Sequence, residues 1–243
     1  MIVILAAFQF LSIMPPVVRR AFTAKELGQS VGYYPLVGLI LGGIFYGCYT
    51  LGTQIMPTTL AAIMILVLWI VLTRGLHFDG FLDTCDGLFG AFTPQKRLEI
   101  MHDSRVGAFG VAGGILLMLI KFSALSNLQI DTAGLILVPV LGRFMITQAI
   151  VLYPYGRKDG LGKDIKANAH YKELIIASLI TGLTAWFSLG WLGFITIGIT
   201  FIAGHLWLRF VLQRIPGLTG DIYGATCETT ETLILTLMAT TIF

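Results

Sequence analysis

Charge is what this sequence has least of. Only 12% of its 243 residues are Asp, Glu, Lys or Arg, against about 25% in soluble domains. That supply cannot coat a globule of this size with solvated side chains, which excludes a soluble single-domain enzyme. The scarcity of Glu and Lys excludes a coiled coil, and the low polarity excludes intrinsic disorder. Cysteine is equally sparse. Cys48, Cys85 and Cys227 are odd in number and far apart, with no CxxC or Cys/His ligand spacing, so neither a disulfide framework nor a zinc site is expected. No internal period of 20–50 residues and no low-complexity tract occurs. No block of like charge marks a nucleic-acid surface, and a net charge of +3 is what membrane topology alone produces. Residues 1–14 have no basic leader and run into Pro15-Pro16, which reads as a short apolar segment at, or dipping into, a membrane and not as a cleaved signal peptide.

What is abundant is apolar surface. Hydrophobic residues make up 56% of the chain, and the mean hydropathy is +0.85. Runs long enough to cross a bilayer fall near 32–52, 58–74, 108–126, 133–152, 173–189, 191–212 and, more weakly, 229–243. They are too long and too uniformly apolar for the alternation of a membrane β-barrel. The expected fold is therefore all-α: one integral membrane domain over 1–243, a bundle of six or seven spans. Gly38 and Gly42 give the first run a small-xxx-small face for close helix packing.

The basic residues report orientation. All but Lys121 and Arg143 lie in the N-terminal segment or in, or beside, the connectors 74–107, 154–172 and 209–214, whereas the connectors near 52–58 and 189–191 carry no charge and the one near 127–132 only Asp131. By the positive-inside rule the rich connectors face the cytoplasm. Polar chemistry is thus one-sided. That suits an enzyme acting on cytosolic substrates better than a channel or transporter, which needs polar groups near mid-membrane.

The chemistry concentrates in 77–107. Asp79, Asp83 and Asp86 are spaced i, i+4, i+7, one face of a helix with carboxylates stacked turn above turn. Such a face repels itself unless a cation neutralises it. Oxygen-only ligands select Mg²⁺ ahead of Ca²⁺, and Mg²⁺ bound by a few carboxylates beside Arg and Lys is the signature of phosphate chemistry. Glu99 and Asp103 form a second i, i+4 pair on an expected helix 95–105 with His102 and Arg105 beside them. Asp103 can act there as a metal ligand or general base, or be tied up by Arg105 or Arg97. His77 and His102 read as hydrogen-bonding groups of such a site before they read as ligands. Arg143, inside an apolar run, is expensive to bury and can reach a diphosphate or pair with an acid. Lys121 is near enough to a span's end to snorkel. Asp221, Glu228 and Glu231 again share a helical face, a second carboxylate patch for substrate or cation. Arg157, Lys158, Lys163 and Lys166 form a basic loop that suits phosphates or anionic lipid equally.

The order of these motifs resembles a known family. His77-x-Asp79-Gly80-x2-Asp83-x2-Asp86-Gly87, then Arg97-Leu-Glu99-Ile-Met-x-Asp103-Ser104-Arg105-x-Gly107, is similar to the signature of the cobalamin synthase (adenosylcobinamide-GDP ribazoletransferase) family. Phe8-Gln9-Phe10-Leu11 with Pro15-Pro16, Tyr34-Pro35-Leu36-Val37-Gly38, Tyr153-Pro154-Tyr155 with Gly160-Leu161-Gly162, and Gly217-Leu-Thr219-Gly220-Asp221 through Glu228 and Glu231 extend the likeness along nearly the whole chain. The resemblance implies an inner-membrane, Mg²⁺-dependent enzyme that joins adenosylcobinamide-GDP to α-ribazole or its 5′-phosphate and releases GMP. It also implies partners in a nucleotide-loop assembly complex or in a homo-oligomer. A wider likeness is to CDP-alcohol phosphotransferases: Asp83-x2-Asp86-Gly87 reproduces the opening of their motif and Glu99-x3-Asp103 resembles its close, while Gly90-Ala91 stands where Ala-Arg is expected. The expected site therefore has Asp79, Asp83, Asp86 and Glu99 on the metal, Asp103 and His77 in catalysis, and Arg97, Arg105, Arg143, Asp221 and Glu228 on the substrate. A lipid-synthesising phosphotransferase and a transporter are the alternatives.

Overall fold

The computed structural model describes residues 1–128 and 133–240. Asp131 and the end of the last apolar run, 241–243, lie outside the described residues. Among the described residues the chain folds as α1 (Ile2–Leu11), α2 (Ala24–Ser30), a 3₁₀ turn (Val31–Tyr33), α3 (Tyr34–Ile55), α4 (Thr58–Thr73), α5 (Leu76–Gly90), α6 (Pro94–Ile100), α7 (Ala108–Ser126), α8 (Gly134–Leu152), α9 (Leu161–Asn168), α10 (Tyr171–Leu189), α11 (Trp191–Leu212) and α12 (Gly220–Met238). This is the all-α, polytopic bundle that the apolar runs predict. Among the described residues five helical segments are long and apolar enough to cross a membrane, Ala24–Ile55, Ala108–Ser126, Gly134–Leu152, Tyr171–Leu189 and Trp191–Leu212, and the bent pair of α4 and α5 makes a sixth if counted as one.

The bundle is organised around α8, whose interior positions from Gly134 to Val151 are almost all buried although Pro139 interrupts its hydrogen-bond ladder. Against it lie α3, α10 and α12. The Gly38/Gly42 face packs on α8 as its spacing predicts: a Cβ at Gly38 would stand 2.5 Å from the Pro139 carbonyl oxygen, and Gly42 meets Ile136. Small residues let the two backbones approach where side chains would hold them apart.

Two local expectations are revised. The last helix begins at Gly220, not near 229, and is not among the segments apolar enough to cross a membrane: Thr219 accepts from the Ile222 N–H and starts the helix, and Glu228 and Glu231 do not end it because they find buried cations. The helix expected over 95–105 stops at Ile100. Beyond it the Asp103 carboxylate accepts from the Arg105 N–H at 3.1 Å, a side-chain turn that competes with continued helix. Most of the connector 75–107 is itself helical, as α5 and α6.

The break between α4 and α5 positions the site. Arg74 (φ 56°) and Gly75 (φ 64°) both take left-handed backbone, strain that glycine relieves at one of the two positions. The Arg74 guanidinium donates to the Phe10 carbonyl at 2.9 Å, tying α1 to this corner. α5 leaves the direction of α4 by 92°. It then runs from the first residues of α12, which Gly80 touches, to those of α7, which Asp86 touches. α5, which is not by itself one of the five segments above, thus packs on the starts of α12 and α7. The charged connectors gather at that same end of the bundle, and the uncharged turns at 56–57 and 190 lie at the other.

Candidate active site

A cavity of about 330 Å³ opens at the charged end, between α5, the start of α12, the C-terminal turns of α8 and the loop 155–162. Asp79, Asp221, Arg157, His102 and the Gly160–Gly162 segment line its polar part, and His77 lines it from the first turn of α5. Two glycines make this geometry. A Cβ at Gly80 would lie 2.9 Å from the Asp221 carbonyl oxygen, and one at Gly224 would lie 2.9 Å from that of His77. α5 and α12 therefore cross with their backbones in contact, which carries Asp79 and Asp221 into one cavity.

Asp83, one turn along α5 from Asp79, does not line the cavity, but the carboxylates crowd one another. Burial first, and then the negative charges of Asp79, Asp221 and Asp86, push the Asp83 carboxyl up to about 7. Arg157 partly offsets this. It donates to Asp221 Oδ2 at 2.8 Å and to the Met101 carbonyl at 3.3 Å, and Thr219 donates to the same Asp221 oxygen at 3.1 Å. Asp86 faces elsewhere: its two oxygens accept from the Gly107 and Gly110 N–H groups at 2.7 and 2.8 Å, the position where a helix N-terminus favours negative charge. His77 is buried, and that burial, with the charges of Arg143 and Lys121, holds its proton affinity well below the ordinary value. It is thus a neutral imidazole, and its Nδ1 has no partner.

The remaining expected residues lie outside this cavity. Glu99 is exposed and paired with Lys96 at 2.6 Å. Asp103 pairs with Arg105 at 2.6 Å, and that guanidinium draws its carboxyl down to about 2. Both acids line an adjoining open depression that shares His102 and Arg157 with the cavity. The low proton affinity of Asp103 removes the main reason to make it the base. Arg97 donates to the Ala91 and Arg214 carbonyls at 3.0 and 3.1 Å, so it fastens two connectors together and is not free for phosphate. Arg143 and Glu228 do not line the cavity but belong to a buried ionic network. Lys121 reaches Glu228 at 2.5 Å and Glu231 at 3.0 Å, and Arg143 pairs with Glu231. Lys121 accordingly does not snorkel; it is 1% exposed. Two cations and two anions balance, which is what makes the network tolerable in an apolar bundle.

Among the described residues, no three His, Cys, Asp or Glu side chains form a ready-made metal site. The four-residue set Asp79, Asp83, Asp86 and Glu99 is therefore not assembled. Two carboxylates that do line the cavity, Asp79 and Asp221, nevertheless fit Mg²⁺, which takes one or two carboxylates and completes its shell from substrate phosphates and water; Asp83 stands one turn from Asp79. Arg157 was legible in the sequence only as one of several loop cations. Tyr223, which also lines the cavity with an unpartnered hydroxyl, carried no signal.

Membrane-crossing helices around a cavity of carboxylates, one arginine and a neutral histidine at the charged end define a class: a polytopic membrane enzyme with its site at one end of the bundle. The family model of cobalamin-5-phosphate synthase matches residues 3–239. Relatives named adenosylcobinamide-GDP ribazoletransferase include one from Desulforamulus reducens, 40% identical over 96% of this chain and 94% of its own length. Another, from Desulfitobacterium hafniense, is 36% identical over 94% and 93%, and one from Acinetobacter baumannii is 37% identical over 94% and 93%. No solved structure matches the chain. The chain belongs to the cobalamin-5-phosphate synthase family and is a membrane transferase of cobalamin biosynthesis.

Proposed function

We propose that the protein joins adenosylcobinamide-GDP to α-ribazole, or to α-ribazole 5′-phosphate, giving adenosylcobalamin or its 5′-phosphate and GMP. The observation that carries this reading is the meeting of Asp79 and Asp221 with Arg157 at one cavity, with Asp83 one helical turn from Asp79 and near enough for their negative charges to raise its carboxyl. Crowded carboxylates repel a diphosphate unless a divalent cation joins them, and Arg157 supplies a further positive charge beside them. In the reaction a hydroxyl oxygen of the ribazole ribose attacks the phosphorus attached to cobinamide. The new O–P bond forms, the P–O–P bond to GMP breaks, and the hydroxyl proton leaves.

Asp79, Asp83 and Asp221 would hold Mg²⁺, which when bound neutralises phosphate charge and favours in-line displacement. Arg157, steadied by Asp221 and the Met101 carbonyl, holds the diphosphate. Its charge is not consumed by the ion pair because the cation draws on the same carboxylate. His77 is kept neutral, so at neutral pH it is in the form that accepts the hydroxyl proton, and arriving phosphate charge raises its affinity for it. Asp86 holds the start of α7 against α5 and so fixes the helix that carries Asp79 and Asp83. The charged end faces the cytoplasm of the inner membrane, where the basic connectors belong.

The test is incubation of the purified protein with adenosylcobinamide-GDP and α-ribazole, following both products by mass spectrometry. Equimolar GMP and adenosylcobalamin are expected. A product from CDP-diacylglycerol and an alcohol phosphate, with none from the corrinoid, would replace this reading with that of a lipid phosphotransferase.

A further inference from the structure

The cavity is divided in character. Its polar part faces Asp79, Asp221 and Arg157, whereas Phe10, Leu11, Tyr34, Ile146, Ile150 and Tyr223 make an apolar and aromatic floor. The floor is built and not incidental. Tyr34 and Ile150 are 1% and 2% exposed, and the ring of Tyr34 stacks on Phe10 with centroids 6.4 Å apart. Tyr223, 7% exposed, and Tyr34 each end in a buried hydroxyl that has no hydrogen-bond partner among the described residues. A buried polar atom left without a partner inside a cavity calls for a ligand atom to pair with it.

Resting on the reaction proposed above, we infer that this floor is the subsite for the benzimidazole base of α-ribazole, with the Tyr223 hydroxyl donating to the base's free ring nitrogen. Three physical comparisons lead to it. A corrin macrocycle with its amide arms is far too large for about 330 Å³, so it stays at the mouth or outside. Guanine would bring its ring N–H, its amino group, its carbonyl and a ring nitrogen to the same wall. The floor holds no carboxylate or amide, and its two phenols, Tyr34 and Tyr223, are too few to pair all four groups, so part of guanine's edge would be buried unpaired. A dimethylbenzimidazole presents two apolar faces, two methyl groups and a single in-plane acceptor, which four aliphatic or phenyl side chains and one of the two unpartnered phenols, Tyr34 and Tyr223, can satisfy. With the base on the floor, the attached ribose extends toward the polar part, which brings a ribose hydroxyl to the carboxylate end and leaves the guanosine of the other substrate outside the floor.

Recognition of the base is then independent of the cation. Binding of α-ribazole and, separately, of GMP should be measured by calorimetry on the whole protein in nanodiscs containing EDTA, for wild type, Tyr223→Phe and Ile150→Phe. Turnover of both substrates is measured alongside. Wild type should bind α-ribazole in EDTA. Tyr223→Phe, which removes only the hydroxyl, should weaken that binding about five- to tenfold, the worth of one neutral hydrogen bond. Ile150→Phe, which fills the floor, should weaken it more. The KM for α-ribazole should rise in step while the KM for adenosylcobinamide-GDP stays within about twofold, which also shows that each variant is folded. Free 5,6-dimethylbenzimidazole should compete with α-ribazole and not with adenosylcobinamide-GDP. Failure of α-ribazole to bind in EDTA, or a rise confined to the KM for adenosylcobinamide-GDP, would overturn the subsite while leaving the reaction standing. Absence of GMP release by wild type would instead overturn the reaction, and the calorimetry would still decide the subsite.

Discussion

Replacing Lys121 by Met removes one of two cations from the buried network of Lys121, Arg143, Glu228 and Glu231. All four side chains are no more than 5% exposed, and the remaining charges are two carboxylates against Arg143 alone. Breaking a buried ion pair from one side costs about 3–5 kcal/mol, and an uncompensated charge within a membrane helix costs about 2.5–3.5 kcal/mol on insertion scales. The two estimates meet near 3 kcal/mol. At about 2–4 °C per kcal/mol for a chain of this length, the melting temperature should fall by roughly 10 °C. Lys121→Met/Glu228→Gln restores the balance, with Arg143 still facing Glu231, and should recover most of the loss. The assay is thermal unfolding in detergent, read by tryptophan fluorescence; Trp69 lies under Lys121, whose Nζ is 4.8 Å from its ring. If the single variant melts within about 2 °C of wild type, or the double variant is as unstable as the sum of the two singles, the network is not a balanced charge cluster and the reasoning fails.

Other expectations follow from the same geometry. Asp79→Asn should abolish GMP release and leave the melting temperature unchanged, whereas Asp86→Asn should also lose about 1–2 kcal/mol of stability through its weakened hold on the start of α7, and unfolding curves of the two variants separate the roles. Gly80→Ala should drive α12 off α5, costing about 1–3 kcal/mol and most turnover, because its Cβ would stand 2.9 Å from the Asp221 carbonyl oxygen. With Asp83 raised to about 7, protons compete with Mg²⁺: affinity should climb as pH rises toward and through 7, with proton uptake by buffer on binding. The sign follows from linkage. A raised carboxyl favours the folded, metal-free protein below the unfolded value and loses that contribution as pH rises through 7, the range in which Mg²⁺ should stabilise most. Calorimetry in buffers of different ionisation enthalpy checks this, and pH-independent affinity between 6 and 8 would contradict it.

The sequence made some of this legible and hid the rest for physical reasons. Asp79 and Asp83 announce themselves through helical spacing, a local property, and the structure keeps them on one helix. Lys121, Arg143, Glu228 and Glu231 announce that they are buried, because charges inside apolar runs need partners. Their pairing was hidden because the partners lie 88 to 110 residues apart. Asp86 is similar: it looks like a third metal ligand until the chain returns 21 and 24 residues later to present Gly107 and Gly110. Glu99 and Asp103 keep the spacing of a catalytic pair, but α6 ends between them and each meets a neighbouring cation first. Arg157 was hidden among lysines whose topological role gives the same composition.

The central claim is that Asp79, Asp83 and Asp221 grip a divalent cation together with the diphosphate, and its most direct measurement is GMP release as a function of Mg²⁺ for wild type and Asp79→Asn with both substrates saturating. A hyperbolic rise from zero in wild type, with no release from Asp79→Asn at any Mg²⁺ concentration, is expected. Full release from wild type in EDTA, or turnover by Asp79→Asn equal to wild type, would contradict it.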